Sequence, residues 1–348
     1  MGREDGAIQF NIAYHPTPYP HAMRRDLEEI AEVCDGIYLV FAESDLEYGS
    51  NKVKHCIDLA HEQNLIVLAD FWGYGNLFAC GAIPSLFTVQ HPEYNCVTNR
   101  GRTIPKSCPN KQGVRDFMRG AVEGFMATYG ADGVFWDEPS YGLAGYLGRY
   151  EDGEWACRCD DCQAKFRDRY GKEMPAGLTA EVEEFRNETM LGFLSDLCAY
   201  TKGCGEHLVT STCIMTSDSE AFREAVAQTP QLDVFGIDPY WRPDQDVSQK
   251  DFIERYTGDS VAMGKRHGKL VEAWVCAWKQ NAGHEADAYR AAKLNAQHDI
   301  DCLSAWSYRD YISWDPCDRA NAADPERVWK NLKRAYSEIR DDDLEIRE

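Results

Sequence analysis

Eight short apolar runs, separated by stretches of helical period, constrain this chain more than any other feature. The runs are IQFNIAY (8–14), GIYLVFA (36–42), LIVLADFW (65–72), GVFWDE (133–138), LVTSTCIM (208–215), LDVFGIDPY (232–240), LVEAWVCAW (270–278) and DCLSAWSY (301–308). Each has the length and near-continuous apolarity of a strand buried on both faces. Between them lie segments with apolar residues at helical spacing, such as HAMRRDLEEIAEVC, GVRDFMRGAVEGFMATYG and KDFIERYTGDSVAMGKRHG. Strand and helix alternating eight times predict an α/β chain closed into a (β/α)8 barrel, and 348 residues with 44% hydrophobic content suffice for it. The expected layout is a single barrel over residues 1–340. Residues 141–207 are a loop and helical insertion, and 341–348 (DDDLEIRE) an acidic tail left in solvent.

Two connections, 73–111 and 141–207, are too long for plain crossovers. In this fold the loops after the strands build the face where sites sit, so both are expected to frame a functional mouth.

Charge narrows the partners. Fifty-eight acidic against thirty-seven basic residues give a formal net charge of −21, which repels phosphate backbones and anionic lipid surfaces. Nucleic acid and membrane are excluded as partners; a homo-oligomer stays open. The start, MGREDGAIQF, lacks a basic region followed by an apolar core, so the chain reads as cytoplasmic, or as secreted if a leader has been removed. The 14 cysteines include several within apolar runs (Cys213, Cys276, Cys302), as reduced buried thiols do.

Carboxylates gather where the strands end. The fourth run closes on Asp137 and Glu138, with Pro139 next; Glu43, Asp70, Asp238, Glu272 and Asp310 fall within or just after other runs. Around them stand Tyr14, His15, Trp72, Tyr240, Trp241, Trp274, Trp278, Trp306 and Tyr308. Acids and aromatic rings on one face describe a cleft for a sugar, whose C–H faces stack on rings while its hydroxyls bond to carboxylates. Glycosidic cleavage needs two carboxyl groups, one to carry a proton and one ionised. Glu138 is expected to be the general acid/base and Glu272 the nucleophile, with Asp137 tuning Glu138. Glu272 falls early in its run and could lie deep in the barrel. The competing pair is Asp137 as nucleophile with Asp238 as acid. Two other classes compete: a carbohydrate-binding barrel without catalysis, and a metal-dependent hydrolase, for which only His15 is a suitably placed histidine.

CRCDDC places Cys157, Cys159 and Cys162 within six residues, a spacing that suits a tetrahedral ion such as zinc. Cys108 is the best-placed fourth ligand, with Cys80 and Cys96 in reserve. Four sulfur ligands leave no open position, so such an ion braces loops and does no catalysis. No organic cofactor is expected.

Three segments, CPNKQGVRDF (108–117), FWDEP (135–139) and CRCDDCQAKFRDRYG (157–171), together resemble the barrel domain of the β-galactosidases of glycoside hydrolase family 42. The resemblance is specific over about residues 100–175. It implies a retaining glycosidase with Glu138 as acid/base and Cys108, Cys157, Cys159 and Cys162 as zinc ligands. The chain departs from the family in having Asp137 where the family has Asn. Its Glu272 is also farther from the strand end than the family's nucleophile.

Overall fold

The computed structural model describes residues 7–71, 85–141, 153–310 and 322–347. Ten strands form: β1 (Gln9–Tyr14), β2 (Gly36–Val40), β3 (Ile66–Asp70), β4 (Asn95–Val97), β5 (Thr103–Ser107), β6 (Gly133–Asp137), β7 (Val209–Met215), β8 (Val234–Asp238), β9 (Leu270–Cys276) and β10 (Cys302–Trp306). Eight of them, all but β4 and β5, close into a barrel in the order β1-β10-β9-β8-β7-β6-β3-β2, every pair parallel. Each arises from one of the eight apolar runs, trimmed by a residue or two at the ends. The barrel class is thus as expected.

Helices α1 (Pro20–Ala31), α2 (Glu43–Tyr48), α3 (Ser50–Glu62), α4 (Leu86–Gln90), α5 (Gln112–Tyr129), α6 (Asp160–Tyr170), α7 (Ala180–Cys204), α8 (Glu220–Ala227), α9 (Gln249–Arg266), α10 (Asp287–Asn295) and α11 (Pro325–Arg340) complete the described elements. Their ends carry the usual chemistry. Thr179, Ser219 and Ser248 accept the hydrogen bond of a first-turn N–H, and Gly130 and Gly171 supply the left-handed residue that stops α5 and α6. α7 packs on α5, β6 and β7, so within 141–207 the final 25 residues of helix belong to the outer ring. β4 and β5 pair as an antiparallel hairpin in the connection after β3. The acidic tail is not free: the Lys293 ammonium, fully buried, donates to the Asp343 carbonyl and pairs with Glu338, and Ile346 packs on the core.

Strand register and the two-residue alternation stack the inward side chains in layers of four drawn from alternate strands. From the floor upward they are Asn11, Leu68, Ser211 and Glu272; then Tyr38, Phe135, Gly236 and Ser304; then Ala13, Asp70, Cys213 and Trp274; then Val40, Asp137, Asp238 and Trp306. Only a residue without a side chain fits at Gly236. A Cβ there would lie 2.7 Å from the Thr212 carbonyl oxygen, too close for any side chain, and would fill the space beside Glu272 and Trp274. The lower layers are an aromatic and polar plug, and the acids of the upper two face the mouth.

Candidate active site

The fourth barrel strand delivers two carboxylates to one place by breaking its own rule. Asp137, the last residue of β6, faces inward; alternation alone would turn Glu138 away. Instead Glu138 takes φ = +46°, a left-handed conformation costing a β-region side chain roughly 1–2 kcal/mol. Its N–H still reaches the Cys213 carbonyl at 3.1 Å, so the ladder continues through the turn. The Glu138 carboxylate is the leading charge acting on Asp70, Asp137 and Asp238 alike, so it lies within electrostatic reach of the inward-facing acids.

Burial, together with the mutual repulsion of these groups, sets their proton affinity. Asp70, Asp137 and Asp238 are all nearly or fully buried and are raised well above the usual carboxylate range, first by burial and then by neighbouring carboxylates. Glu138, half-buried, is pushed up to about 7 by burial and by Asp218, against the opposing pull of the Lys106 ammonium. Asp238 has ordered hydrogen-bond donors. The Cys213 thiol donates to its Oδ1 at 2.7 Å, and Tyr240 also favours its charged form. Asp137 has no such support. His15, 5% exposed, lies edge-on to Trp306; burial lowers it to about 3, so its ring is neutral.

Of the expected site residues, Asp137, Glu138, Asp238, Asp70 and His15 converge at the mouth, with Trp306, Tyr240, Trp241 and Trp278 half-buried around it. Glu272 does not join them. It is 0% exposed, two layers below Asp70, and its carboxylate accepts hydrogen bonds from Tyr38, Ser304 and Trp274. Burial raises it to about 7 while those donors oppose the shift. With Tyr38, Phe135 and Trp274 stacked between it and the mouth, it cannot reach a substrate held beside Glu138. Trp274 itself belongs to that plug and offers no stacking face to solvent.

Four further expectations are corrected by placement. Tyr14 and Tyr308 point outward, pack edge-on against each other and donate to Asp26, so they join barrel to helix shell. Glu43 accepts from the backbone N–H groups of Leu86 and Phe87 and so ties down the start of α4. Asp310 accepts from the backbone N–H groups of Lys279 and Ala322. Trp72 and Cys80 lie outside the described residues. Three participants went unread in the sequence: Cys213, which reads as a core thiol; Asp218, in the turn after β7; and Lys106, on a strand whose TIPKS sequence carries no strand signal.

The thiol cluster assembles as its spacing suggests. The sulfur atoms of Cys108, Cys157, Cys159 and Cys162 all lie within 4.8 Å of one another, and all four residues are buried. Cys108 comes from the segment after β5, the other three from the approach to α6 and its first turn, so the cluster joins the two long connections. The donor set fits a soft or borderline metal ion with four coordination positions.

No protein-family model matches the chain, and no curated protein matches it by sequence. Solved structures do resemble it. The β-galactosidase of Rahnella sp. R3 superposes over 97% of this chain and 56% of its own, with a TM-score of 0.72 and 16% identity. A catalytic mutant of a GH42 β-galactosidase from G. stearothermophilus gives 98% and 57%, a TM-score of 0.71 and 14% identity. The catalytic domain of a β-amylase from Paenibacillus polymyxa gives 95% and 99%, a TM-score of 0.66 and 8% identity. At such identities the likeness shows a shared barrel fold, and this chain spans little more than half the length of the β-galactosidases.

Proposed function

We propose that this chain is a glycoside hydrolase whose proton-carrying residue is Glu138. The observation that carries the reading is the left-handed turn at the end of β6, which holds a carboxyl group with affinity near pH 7 within electrostatic reach of the inward-facing acids. A group half-protonated near neutrality can give a proton to a departing glycosidic oxygen and take one back from water. The structural likeness to β-galactosidases and a β-amylase supports a carbohydrate as the ligand.

Asp238 is the ionised partner in this reading. It faces inward at the mouth; burial and the Glu138 charge raise it, and the Cys213 thiol and Tyr240 oppose that rise and favour its charged form. Asp137, with no donor of its own among the described residues, holds its proton against burial and the Glu138 charge, while burial and Asp218 keep a proton on Glu138. This arrangement replaces Glu272 as nucleophile and differs from the Asp137–Asp238 alternative in making Asp238 the ionised group and Glu138 the acid. Trp306, Trp278, Tyr240 and Trp241 offer faces and edges for the sugar ring.

Cys108, Cys157, Cys159 and Cys162 would hold zinc. The ion would supply four sulfur bonds that cross-link the two long connections, with no position left for a reacting water. The thiols must be deprotonated to hold it, so retention weakens at low pH.

The test is turnover of a panel of aryl glycosides by wild type, Glu138→Gln and Asp238→Asn. At least one glycoside is expected to be hydrolysed, with each substitution lowering its rate by about 10²-fold or more. The anomer of the first-formed product, followed by NMR, distinguishes a covalent retaining route through Asp238 from an inverting one through water.

A further inference from the structure

The mouth holds more acceptors than cleavage requires, and they lack donors. Asp70 is 0% exposed, faces inward directly beneath Asp137 and Asp238, and neither carboxylate oxygen has a hydrogen-bond partner among the described residues. His15, on the neighbouring side of the mouth, has both ring nitrogens unpartnered, and as a neutral ring one of them is an acceptor. Asp137 carries no hydrogen bond that would favour its charge. Buried polar groups are normally hydrogen-bonded, so Asp70 and His15 left unmatched at the same mouth point to a donor brought by a ligand.

The kind of donor follows from what surrounds them. The titratable groups acting on this site are Asp70, Asp137, Glu138, Asp218, Asp238 and, from below, Glu272 on the acidic side, with Lys106 and Lys52 on the basic side. An anionic sugar would add to the excess. Among the described residues the grouping with ligand spacing for a metal ion is the four thiols, not the acids of the mouth. A neutral hydroxyl brings no charge to set against these acids. An ammonium group has three donors and no acceptor, and its charge offsets the burial and mutual repulsion that otherwise keep Asp70 and Asp137 protonated.

Resting on the glycoside-hydrolase reading, we propose that the sugar taken by this mouth is an amino sugar, its protonated amine bound by Asp137 and Asp70 with His15 as a further acceptor. The proposal names the substrate class of the same site: glycosides of amino sugars with a free amine, as opposed to neutral, N-acetylated or acidic ones.

Calorimetric titration of the full chain near pH 6.5 tests it, with glucosamine and galactosamine each set against the parent hexose, the N-acetyl form and the corresponding uronic acid. One amine is expected to bind roughly tenfold or more tighter than its parent hexose. N-acetylation, which removes the charge but keeps an N–H, should erase that preference. Asp70→Asn and Asp137→Asn should each reduce it; Asp137→Asn, nearer the surface, serves if Asp70→Asn does not fold. Equal binding of amine and hexose, preference for the N-acetyl or acidic form, or no sugar binding at all would overturn the proposal, the unmatched oxygens then being served by water alone. If these results come with turnover of a neutral aryl glycoside, the hydrolase reading stands and only the amine assignment falls. If no glycoside is turned over, both fall.

Discussion

At the scale of single residues, two glutamates with the same proton affinity have opposite employment. Glu138 and Glu272 are both raised to about 7 by burial, yet one caps a strand at the mouth and the other is bonded to three side chains beneath it. Glu272→Gln is therefore expected to keep turnover within several-fold of wild type. Glu272→Ala, which strands the Tyr38, Ser304 and Trp274 donors and opens a cavity, should cost about 2–5 kcal/mol in denaturant unfolding. Abolished turnover in a folded Glu272→Gln would return it to the chemistry. The sign of its pH effect is also fixed. A carboxyl with affinity raised on folding binds more protons in the native state, so its contribution to stability is full below about pH 4.5, the ordinary glutamate value, and is lost as pH rises through about 7. Urea midpoints for wild type should fall across that window more steeply than for Glu272→Gln. Glu272's depth was legible in its early place in LVEAWVCAW, but a strand buried on both faces shows no polar alternation, so the outward turn of Tyr14 and Tyr308 was not written in IQFNIAY or DCLSAWSY.

At the scale of elements, the β4–β5 hairpin connects the thiol cluster to the mouth. Lys106 lies on β5 two residues before Cys108, and its ammonium is the cation that opposes proton retention on Glu138. Replacing it by Met removes that opposition, so the alkaline limb of a pH–rate profile should move to higher pH; an unmoved limb would separate Lys106 from Glu138. Purified chain should carry about one zinc per molecule by elemental analysis, and Cys108→Ser should lose the metal and lower the melting temperature. Metal-free wild type with an unchanged melting temperature would reduce the cluster to four packed thiols. The eight barrel strands were legible because apolar runs of six to nine residues have few other uses. The hairpin was not, because Pro105 and Lys106 interrupt any strand pattern and its pairing is set by what it packs against. The cluster was legible through CRCDDC, whose ligand spacing survives without any knowledge of the fold.

At the scale of the whole molecule, the barrel separates stability from chemistry along its axis. Polar and aromatic layers fill the lower barrel, and the acids crowd the upper end where side chains from all eight barrel strands meet. No described helix is long and apolar enough to cross a membrane. The C-terminal segment belongs to the folded unit: Lys293 is wholly buried and paired with Glu338 and the Asp343 carbonyl, so deleting residues 341–348 should lower stability by about 1–3 kcal/mol in denaturant titration, because a buried ammonium loses part of its coordination. The central claim is that Glu138 gives a proton to the departing oxygen, and leaving-group dependence tests it most directly. Wild type and Glu138→Gln are compared on one sugar linked either to dinitrophenol, which departs without protonation, or to a simple alcohol, which does not. The substitution should abolish alcohol release while sparing the first cleavage of the dinitrophenyl glycoside to a far greater degree; equal losses on both, or none on either, would contradict the assignment.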